Sequence, residues 1–293
     1  MPTHLLPPSP PPLRTWQPLL DLALAEDIGP GDITTQIVIG PESKGRARIE
    51  ARQDLVICGL FVAEEVFRQV DAHLQINPVH REGERVAAGE ALGFVEGSMR
   101  SILAAERTAL NFLGRLSGIS TLTSQFRDAV SETSCQIVDT RKTLPGWRVL
   151  DKFAVLAGGG INHRFALFDG ILLKDNHVAA AGGVREAMNR ARSRAPAGLR
   201  IQIEVESLQE AEDACAAGAD FLLLDNCTPE AVARIVEQLG PDVLLEASGG
   251  ISLENVRAFA EAGVHRISIG ALTHSAAAVD VALEVEDGPG RRP

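Results

Sequence analysis

Basic side chains concentrate in one short segment of a chain that is acidic as a whole. The formal net charge is -11, yet the segment from Arg141 to Lys174 holds six bases against two acids. Three of the four lysines lie in this segment (Lys142, Lys152 and Lys174), although arginine is the usual base of the chain. A lysine in such a chain indicates a need for a compact ammonium or a shiftable pKa. We interpret Lys152 as part of a solvated helix face and the other two as part of a site for a small anion.

Polar residues or glycines close six short apolar runs in the second half of the chain. The runs are CQIVDTRK, DGILLKDN, LRIQIEVES, ADFLLLDN, DVLLEASGG and HRISIGA, and their terminal residues of interest are Arg141, Lys174, Glu204, Asp225, Ser248 and Gly270. Helical segments separate the runs, which is typical of successive βα units and a parallel sheet. The strand ends of an α/β barrel meet at one opening, where active sites lie. We therefore predict a barrel, with a doubly wound open sheet as the alternative.

The residues at these strand ends divide into bases on the earlier runs and acids on the later ones. Arginine and lysine bind carboxylates, arginine through paired hydrogen bonds and lysine as a point charge. Glu204 and Asp225 offer the oxygen ligands that Mg2+ prefers. The glycine turns in SGGIS and SIGAL are suited to phosphate because glycine permits close backbone approach. Each charged residue taken alone could equally form a salt bridge, so the prediction of two adjacent subsites depends on their shared position.

A histidine and an arginine follow three consecutive glycines at positions 158–160. An isolated histidine is more often structural, but the neighbouring Arg164 favours a ligand-binding role for His163. We predict that the glycines form a flexible loop that aims both side chains, because no strand precedes them as in a nucleotide-binding motif. His177 could equally be supporting architecture.

The first part of the chain mixes helical and strand patterns. The segments WQPLLDLALAEDIG and LFVAEEVFRQV predict helices, while ARIEARQDLVICG, HLQINPV and ERVAAGEALGFVEG predict strands and turns. Residues 101–132 have helical spacing, with a plausible break near Gly118. We predict a disordered proline-rich leader over 1–15, an N-terminal α+β domain over 16–115, the barrel over 116–286 and a loose tail over 287–293.

Composition excludes several classes of protein. The chain is 45% hydrophobic but has no apolar run near the roughly 18 residues of a membrane span and no signal-peptide pattern, so we expect a cytoplasmic protein without a membrane partner. The acidic balance argues against nucleic acid as a partner. The four cysteines are scattered, which indicates neither a disulfide framework nor a zinc site.

Several motifs together resemble the quinolinate phosphoribosyltransferases, also called carboxylating nicotinate-nucleotide pyrophosphorylases. They are ALAEDIGPGDITT, ERTALNFLGRLSGIST, DTRKTLPGWRVLDKFAVLAGGGINHR, DGILLKDNH, IEVES, LLLDN, EASGGI and ISIGAL. The likeness is collinear from about Leu19 to Val285. It implies a smaller N-terminal α+β sandwich domain followed by an incomplete TIM-like α/β barrel, in a homodimer or higher homo-oligomer. The implied reaction transfers phosphoribosyl from phosphoribosyl pyrophosphate to quinolinate in NAD biosynthesis, with Mg2+ and with loss of CO2.

The resemblance also implies roles for individual residues. It assigns quinolinate binding to Arg107, Thr140, Arg141, Lys142, His163, Arg164 and Lys174. It assigns phosphoribosyl pyrophosphate binding to Glu204, Asp225, Ser248, Gly249, Gly250, Ser268 and Gly270, with Glu204 and Asp225 on the metal. Arg107, in the motif ERTALN, would reach the site of the neighbouring subunit.

Three other functions fit parts of the pattern. The first is that of a related protein associated with molybdate transport, although the intact R-K and H-R pairs favour quinolinate. The second is a barrel aldolase in which Lys174 forms a Schiff base. The third is a barrel that binds phosphate without catalysis and would release no CO2.

Overall fold

The computed structural model describes residues 8–241 and 243–286, which form two compact units. The first unit contains residues 8–124, 143–159 and 273–286, and the second contains the described residues of 125–142 and 160–272. Residues 1–7 of the predicted leader and the predicted tail, 287–293, lie outside the described residues. Within the leader, Leu13–Thr15 forms one turn of 3-10 helix where the sequence predicts disorder. Trp16 anchors this turn, because its buried indole donates a hydrogen bond to Pro11 O at 3.1 Å.

Five α-helices begin in the described residues of the first unit, and three of them match the helical patterns of WQPLLDLALAEDIG, LFVAEEVFRQV and residues 101–132. The five helices are α1 (Gln17–Ile28), α2 (Ile33–Val38), α3 (Leu60–Val70), α4 (Met99–Ala129) and α5 (Arg148–Ala157). The carboxylate of Asp32 caps α2 by accepting a hydrogen bond from Thr35 N at 2.9 Å. No helix in the described part of the chain is both long enough and apolar enough to cross a membrane.

The sheets of the first unit are antiparallel. The larger one has the order β12-β1-β5-β3, and a two-stranded sheet pairs β2 with β4. The strands are β1 (Lys44–Ala51), β2 (Leu55–Val56), β3 (Gln75–Pro78), β4 (Arg85–Val86), β5 (Ala91–Ser98) and β12 (Val281–Val285). The position of β12 differs from the predicted boundary, which keeps all of 116–286 in the barrel. A short run such as VALEV predicts a strand but does not specify which sheet it joins.

Helix α4 runs without a break through Gly118, where the sequence suggests one. A Cβ at this glycine would lie 2.1 Å from Ala277 O and 3.0 Å from Ala277 C. Glycine therefore serves close packing at this position, because any side chain would collide with the backbone at Ala277. Gly114 lies one turn earlier, and a Cβ added there would lie 3.0 Å from Val279 O.

The second unit contains one sheet of six parallel strands in the order β6-β11-β10-β9-β8-β7. The strands are β6 (Gln136–Val138), β7 (Ile171–Leu173), β8 (Ile201–Val205), β9 (Phe221–Asp225), β10 (Leu244–Ser248) and β11 (Arg266–Ser268). Each matches one of the six apolar runs. The edge strands β6 and β7 do not pair with each other in the described part of the chain, so the barrel is incomplete, as predicted.

Helices follow the strands of this unit in βα order. They are α6 (Asp175–Ala181), α7 (Val184–Arg194), α8 (Leu208–Ala216), α9 (Pro229–Leu239), α10 (Val256–Glu261) and α11 (Ala271–His274). The alternation explains the continuous apolar runs, since strands covered on both faces bury every side chain. In β9, for example, Phe221 to Leu224 are all buried.

Candidate active site

The register of the parallel strands places the predicted residues side by side. Ser248 pairs with Asp225 on one side and with Ser268 on the other. Leu173 pairs with Ile203, so the next residues along these strands, Lys174 and Glu204, are also level. The carboxyl ends of all six strands point the same way because the sheet is parallel. The structure therefore brings these predicted residues to one end of the barrel.

Lys174 and Glu204 form an ion pair at this end. Lys174 Nζ lies 3.1 Å from Glu204 Oε1 and 3.4 Å from Oε2. The Glu204 side chain is 10% exposed and that of Lys174 is 45% exposed. His177 supports the pair, because its Nδ1 accepts a hydrogen bond from Lys174 N at 2.9 Å. Its role is thus architectural, which was one of the two interpretations of the sequence.

Asp225 ends β9 among like charges. Burial raises the pKa of its carboxyl, and the nearby charges of Glu204 and Glu206 raise it further, while Lys174 and Lys142 oppose them. Asn226 donates from Nδ2 to Asp225 Oδ2 at 2.7 Å. This end of β9 therefore carries an excess of negative charge.

The bases that follow β6 lie within electrostatic reach of the same end. Thr140 Oγ1 accepts a hydrogen bond from Lys142 N at 3.0 Å and shapes the turn after the strand. Burial lowers the pKa of Arg164, and the positive charge of Arg141 lowers it further, against the opposite effect of Asp169. Arg141 and Arg164 therefore lie close enough to repel each other, an arrangement that an anionic ligand would relieve.

His163 and Arg164 are held by hydrogen bonds on both sides, which contradicts the predicted flexible loop. Ile161 N donates to Ile137 O at 2.9 Å, and His163 N donates to Asp139 Oδ1 at 2.7 Å. Arg164 Nη1 donates to Gly170 O at 2.9 Å. The glycine run gave no sign of this pairing, because Ile161 forms an isolated parallel bridge with β6 rather than a strand of its own.

Two buried polar residues that the sequence analysis missed lie against His163. Gln202 Oε1 is 3.0 Å from His163 Nε2, and Gln202 Nε2 donates to Glu246 Oε2 at 3.1 Å. Glu246 is fully buried. A signal was present in both strands, because Gln202 precedes Glu204 by two residues and Glu246 precedes Ser248 by two. Residues two apart on a strand share a face.

The loop after β10 requires glycine for a local reason. Gly249 has a φ of +92°, and a Cβ there would lie 2.2 Å from Asn226 Oδ1. Gly250 O accepts a hydrogen bond from Asn255 Nδ2 at 2.9 Å, which closes the turn before α10. The buried Ser268 Oγ has no hydrogen-bond partner among the described residues, and Gly270 follows shortly after it. The backbone of the loop after β10 and the unpaired hydroxyl at the end of β11 are groups of the kind that bind phosphate.

Three basic residues belong to the first unit: Arg107, which lies within the predicted N-terminal domain, and Arg148 and Lys152, which lie within the predicted barrel. Arg107 lies on α4 with 62% of its side chain exposed, and its Nη2 is 3.8 Å from Glu106 Oε1. Arg148 and Lys152 lie on α5. Lys152 is 3% exposed, so its interpretation as part of a solvated helix face was wrong. Lysine spacing along a helix does not reveal which face is covered.

Glu204 and Asp225 suit a magnesium ion that also binds phosphate. Mg2+ in such sites takes one or two carboxylates and completes its shell with water and substrate oxygens. The described residues contain no group of three or more His, Cys, Asp or Glu side chains placed to hold a metal by themselves. The raised pKa of Asp225 fits a position where a cation would be stabilised. Lys174 already occupies both oxygens of Glu204, so a cation would compete with it there.

Comparison with known proteins gives a consistent result. Residues 32–117 match the family model of the quinolinate phosphoribosyl transferase N-terminal domain, and residues 119–284 match that of the C-terminal domain. A carboxylating nicotinate-nucleotide pyrophosphorylase of Mycobacterium leprae is 43% identical over 272 residues, covering 90% of this chain and 94% of the relative. A decarboxylating quinolinate phosphoribosyltransferase of Nicotiana tabacum is 36% identical over 287 residues, covering 92% and 81%.

Solved structures agree with the sequence relatives. The nicotinate-nucleotide pyrophosphorylase from Francisella tularensis superposes with a TM-score of 0.90 at 38% identity, covering 94% of this chain and 98% of that one. With both domains matched in order and the strand-end residues in place, the chain belongs to the quinolinate phosphoribosyltransferase family.

Proposed function

We propose that this chain transfers the phosphoribosyl group of phosphoribosyl pyrophosphate to quinolinate with decarboxylation. The products are nicotinate mononucleotide, pyrophosphate and CO2, in the de novo route to NAD. The observation that supports this most is the division of charge at the end of the barrel. Bases follow β6 and β7 and acids end β8 and β9, which suits a diacid beside a magnesium-bound pyrophosphate.

The bases would bind the two carboxylates of quinolinate. Arg164 Nε is buried and has no hydrogen-bond partner among the described residues, so the guanidinium keeps a donor for a ligand. Arg141 and Lys142 come from the turn after β6, and Lys174 comes from the end of β7. A pocket with this surplus of positive charge would hold the ring in one orientation with its nitrogen toward the sugar.

The acids would face the sugar. Glu204 and Asp225 would hold Mg2+, which when bound neutralises the charge of the departing pyrophosphate. The carbon–oxygen bond at ribose C1 breaks with its electron pair leaving on pyrophosphate, and the pyridine nitrogen then forms the new bond. The same two carboxylates would stabilise the positive charge that develops on the ribose. Gly249, Gly250, Ser248, Ser268 and Gly270 would receive the phosphates.

Decarboxylation follows from the new bond itself. Once its nitrogen is quaternised, the ring accepts the electron pair of the adjacent carbon–carboxylate bond as CO2 leaves. A proton then replaces the carboxylate on that carbon. Lys142 and Lys174 would stabilise the charge that develops in this step. The proposal needs no cofactor for the loss of CO2.

Two parts of the proposal concern the assembly. The chain would act as a homodimer or a multiple of it, and Arg107 would complete the site of the neighbouring subunit. Its high exposure in the single chain supports a role outside its own unit. We expect the enzyme to work in the cytoplasm.

The test is turnover with quinolinate, phosphoribosyl pyrophosphate and Mg2+, following CO2 release and nicotinate mononucleotide together. Nicotinate replaces quinolinate in a parallel reaction and should give little product, because it lacks one of the two carboxylates. Lys142→Ala should abolish turnover and leave the thermal unfolding midpoint unchanged. Ligand binding without CO2 release would instead support a phosphate-binding barrel. Equal use of nicotinate would contradict the proposal.

The alternative of a Schiff-base aldolase has less support from the structure. Such a lysine reacts as the neutral amine and is activated by desolvation or by a nearby cation. Lys174 is half exposed and faces both oxygens of Glu204, which stabilise the ammonium form. Borohydride trapping of a carbonyl substrate on Lys174 would support the aldolase hypothesis.

A further inference from the structure

Asn226 is the first residue after β9, and its backbone has an unusual conformation. Its φ is +53°, and in the described part of the chain it is the one residue other than glycine with a positive φ. Asparagine tolerates this left-handed conformation better than most residues, but glycine adopts it at no steric cost. The turn alone therefore does not account for an asparagine at this position.

The side chain of Asn226 lies between Asp225 and the loop after β10. Its Nδ2 donates a hydrogen bond to Asp225 Oδ2 at 2.7 Å. Because a carboxylate only accepts hydrogen bonds, the amide nitrogen is the atom that faces Asp225, and Oδ1 lies on the other side. A Cβ on Gly249 would lie 2.2 Å from this Oδ1. The backbone N–H of Asn226 also donates to Ser248 O at 2.9 Å. Asn226 thus connects the carboxylate at the end of β9 with the loop after β10.

The contact from Asn226 leaves one carboxylate oxygen of Asp225 for a ligand. Oδ2 accepts the bond from Asn226, while Oδ1 accepts no hydrogen bond from the residues that the structure describes. A carboxylate that binds a metal is commonly held by a hydrogen bond from a neighbouring group, which fixes its orientation. Asp225 is proposed to bind Mg2+ and the loop after β10 to receive phosphate. Asn226 therefore lies between the two groups that a magnesium pyrophosphate would contact.

We propose that Asn226 positions Asp225 and the loop after β10 relative to each other. Its amide nitrogen holds Asp225 Oδ2 and leaves Oδ1 for the cation, and its backbone N–H holds Ser248 against the end of β9. Asn226 is a positioning residue, because it acts through groups that contact the ligand. The inference rests on the proposed function for the identity of that ligand, a sugar pyrophosphate with Mg2+.

Replacement of Asn226 by glycine removes the amide and keeps the turn. Glycine adopts a positive φ freely, so Asn226→Gly should keep the thermal unfolding midpoint of the wild type. We expect it to raise the Michaelis constant for phosphoribosyl pyrophosphate about tenfold and to change that for quinolinate less than about twofold. Asn189→Ala removes an exposed amide on α7 and should change neither constant. An unchanged constant for phosphoribosyl pyrophosphate in Asn226→Gly, or an equal rise in both constants, would overturn the inference.

An alanine variant separates the amide from the turn. Asn226→Ala loses the amide and also the tolerance for a positive φ, so it should unfold at a lower temperature than Asn226→Gly. Its Michaelis constant for phosphoribosyl pyrophosphate should nevertheless rise by a similar factor of about ten, because the same contact to Asp225 is lost. A defect confined to the alanine variant would show that Asn226 serves the turn alone.

Calorimetry measures the same effect without turnover. Asn226→Gly should bind inorganic pyrophosphate with Mg2+ about tenfold more weakly than the wild type and should bind quinolinate within about twofold of it. If the wild type binds magnesium pyrophosphate but does not turn over quinolinate, the proposed function fails, and the calorimetric ratio still decides the role of Asn226. If turnover is found and Asn226→Gly binds magnesium pyrophosphate like the wild type, this inference alone fails. A wild type that binds no magnesium pyrophosphate would overturn both.

Discussion

Asp225 is the residue where the electrostatics of the site are most visible. Its pKa is raised by burial first, then by Glu204 and by Glu206, with two lysines acting in the opposite direction. Glu206 is exposed and lies one residue beyond the end of β8, outside the predicted set of site residues. Its charge therefore acts on Asp225 from a distance, without a contact that a substrate would need.

Removal of the Glu206 charge should move the pH dependence of the enzyme. A raised pKa means that Asp225 takes up a proton at a pH where an ordinary aspartate is still charged. If the charged form faces the sugar pyrophosphate, kcat/KM for that substrate falls as the pH drops through this pKa. Glu206→Gln lowers the pKa of Asp225, so the acid limb of the profile should shift to lower pH. Activity on the alkaline side of the limb should not change.

Another acid of the same βα unit gives the control for this experiment. Glu212 lies on α8, and its charge is not among those that shift Asp225. Glu212→Gln should leave the acid limb in place. A shift to higher pH in Glu206→Gln, or the same shift in both variants, would show that Asp225 does not control the limb.

At the scale of elements, Gly118 offers a prediction whose sign opposes helix propensity. Replacing a glycine inside a helix by alanine normally stabilises it by about 0.5–1 kcal/mol. Here the new Cβ would lie 2.1 Å from Ala277 O. This oxygen belongs to the backbone, so it cannot move away as the end of a flexible side chain could. We expect Gly118→Ala to lower the free energy of unfolding by about 1–3 kcal/mol, the usual cost of overpacking.

Urea unfolding measures this change. Asn111 is exposed on the same helix, and Asn111→Ala should alter the free energy of unfolding by less than about 0.5 kcal/mol or slightly increase it. A Gly118→Ala protein as stable as the wild type would mean that α4 and the segment at Ala277 separate easily. That result would also restore a flexibility role for this glycine.

The same elements show which features of the fold can be predicted from the sequence. The six parallel strands and the residues at their ends follow from local patterns, because a buried strand and the polar residue that closes it are neighbours in the chain. The partner of β12, the collision at Gly118 and the burial of Lys152 depend on residues far away in sequence. Gln202 and Glu246 lie between these cases. Their spacing from Glu204 and Ser248 was readable, but only the structure shows that they contact His163.

At the scale of the whole molecule, the predicted site residues fall into both units. All of them except Arg107 belong to the second unit, and Arg107 belongs to the first. Its guanidinium Nη2 lies 3.8 Å from Glu106 Oε1, and its side chain is 62% exposed. If Arg107 acts in the neighbouring subunit, the activity of dimers that combine two different variants can be predicted.

Mixing two inactive variants should restore activity. In a dimer of one Arg107→Ala subunit and one Lys142→Ala subunit, one site receives both intact residues and the other receives neither. Random assembly makes half of the dimers mixed, so the mixture should reach about a quarter of wild-type activity. Each variant alone should be inactive. Co-expression with two different affinity tags isolates the mixed dimers as the doubly tagged fraction, which should show about half of wild-type activity because one of its two sites is intact.

A second mixture separates shared sites from other causes of recovery. Lys142 and Arg164 are both proposed to act in the barrel of their own chain. Mixing Lys142→Ala with Arg164→Ala therefore leaves every site with one defect, and no activity should return. Recovery in this control would point to subunit stabilisation instead of shared residues. No recovery in the Arg107 mixture, with mixed dimers present, would mean that Arg107 serves its own chain or no site at all. If Arg107 completes the neighbouring site, an Arg107→Ala subunit must regain activity when its partner supplies an intact Arg107.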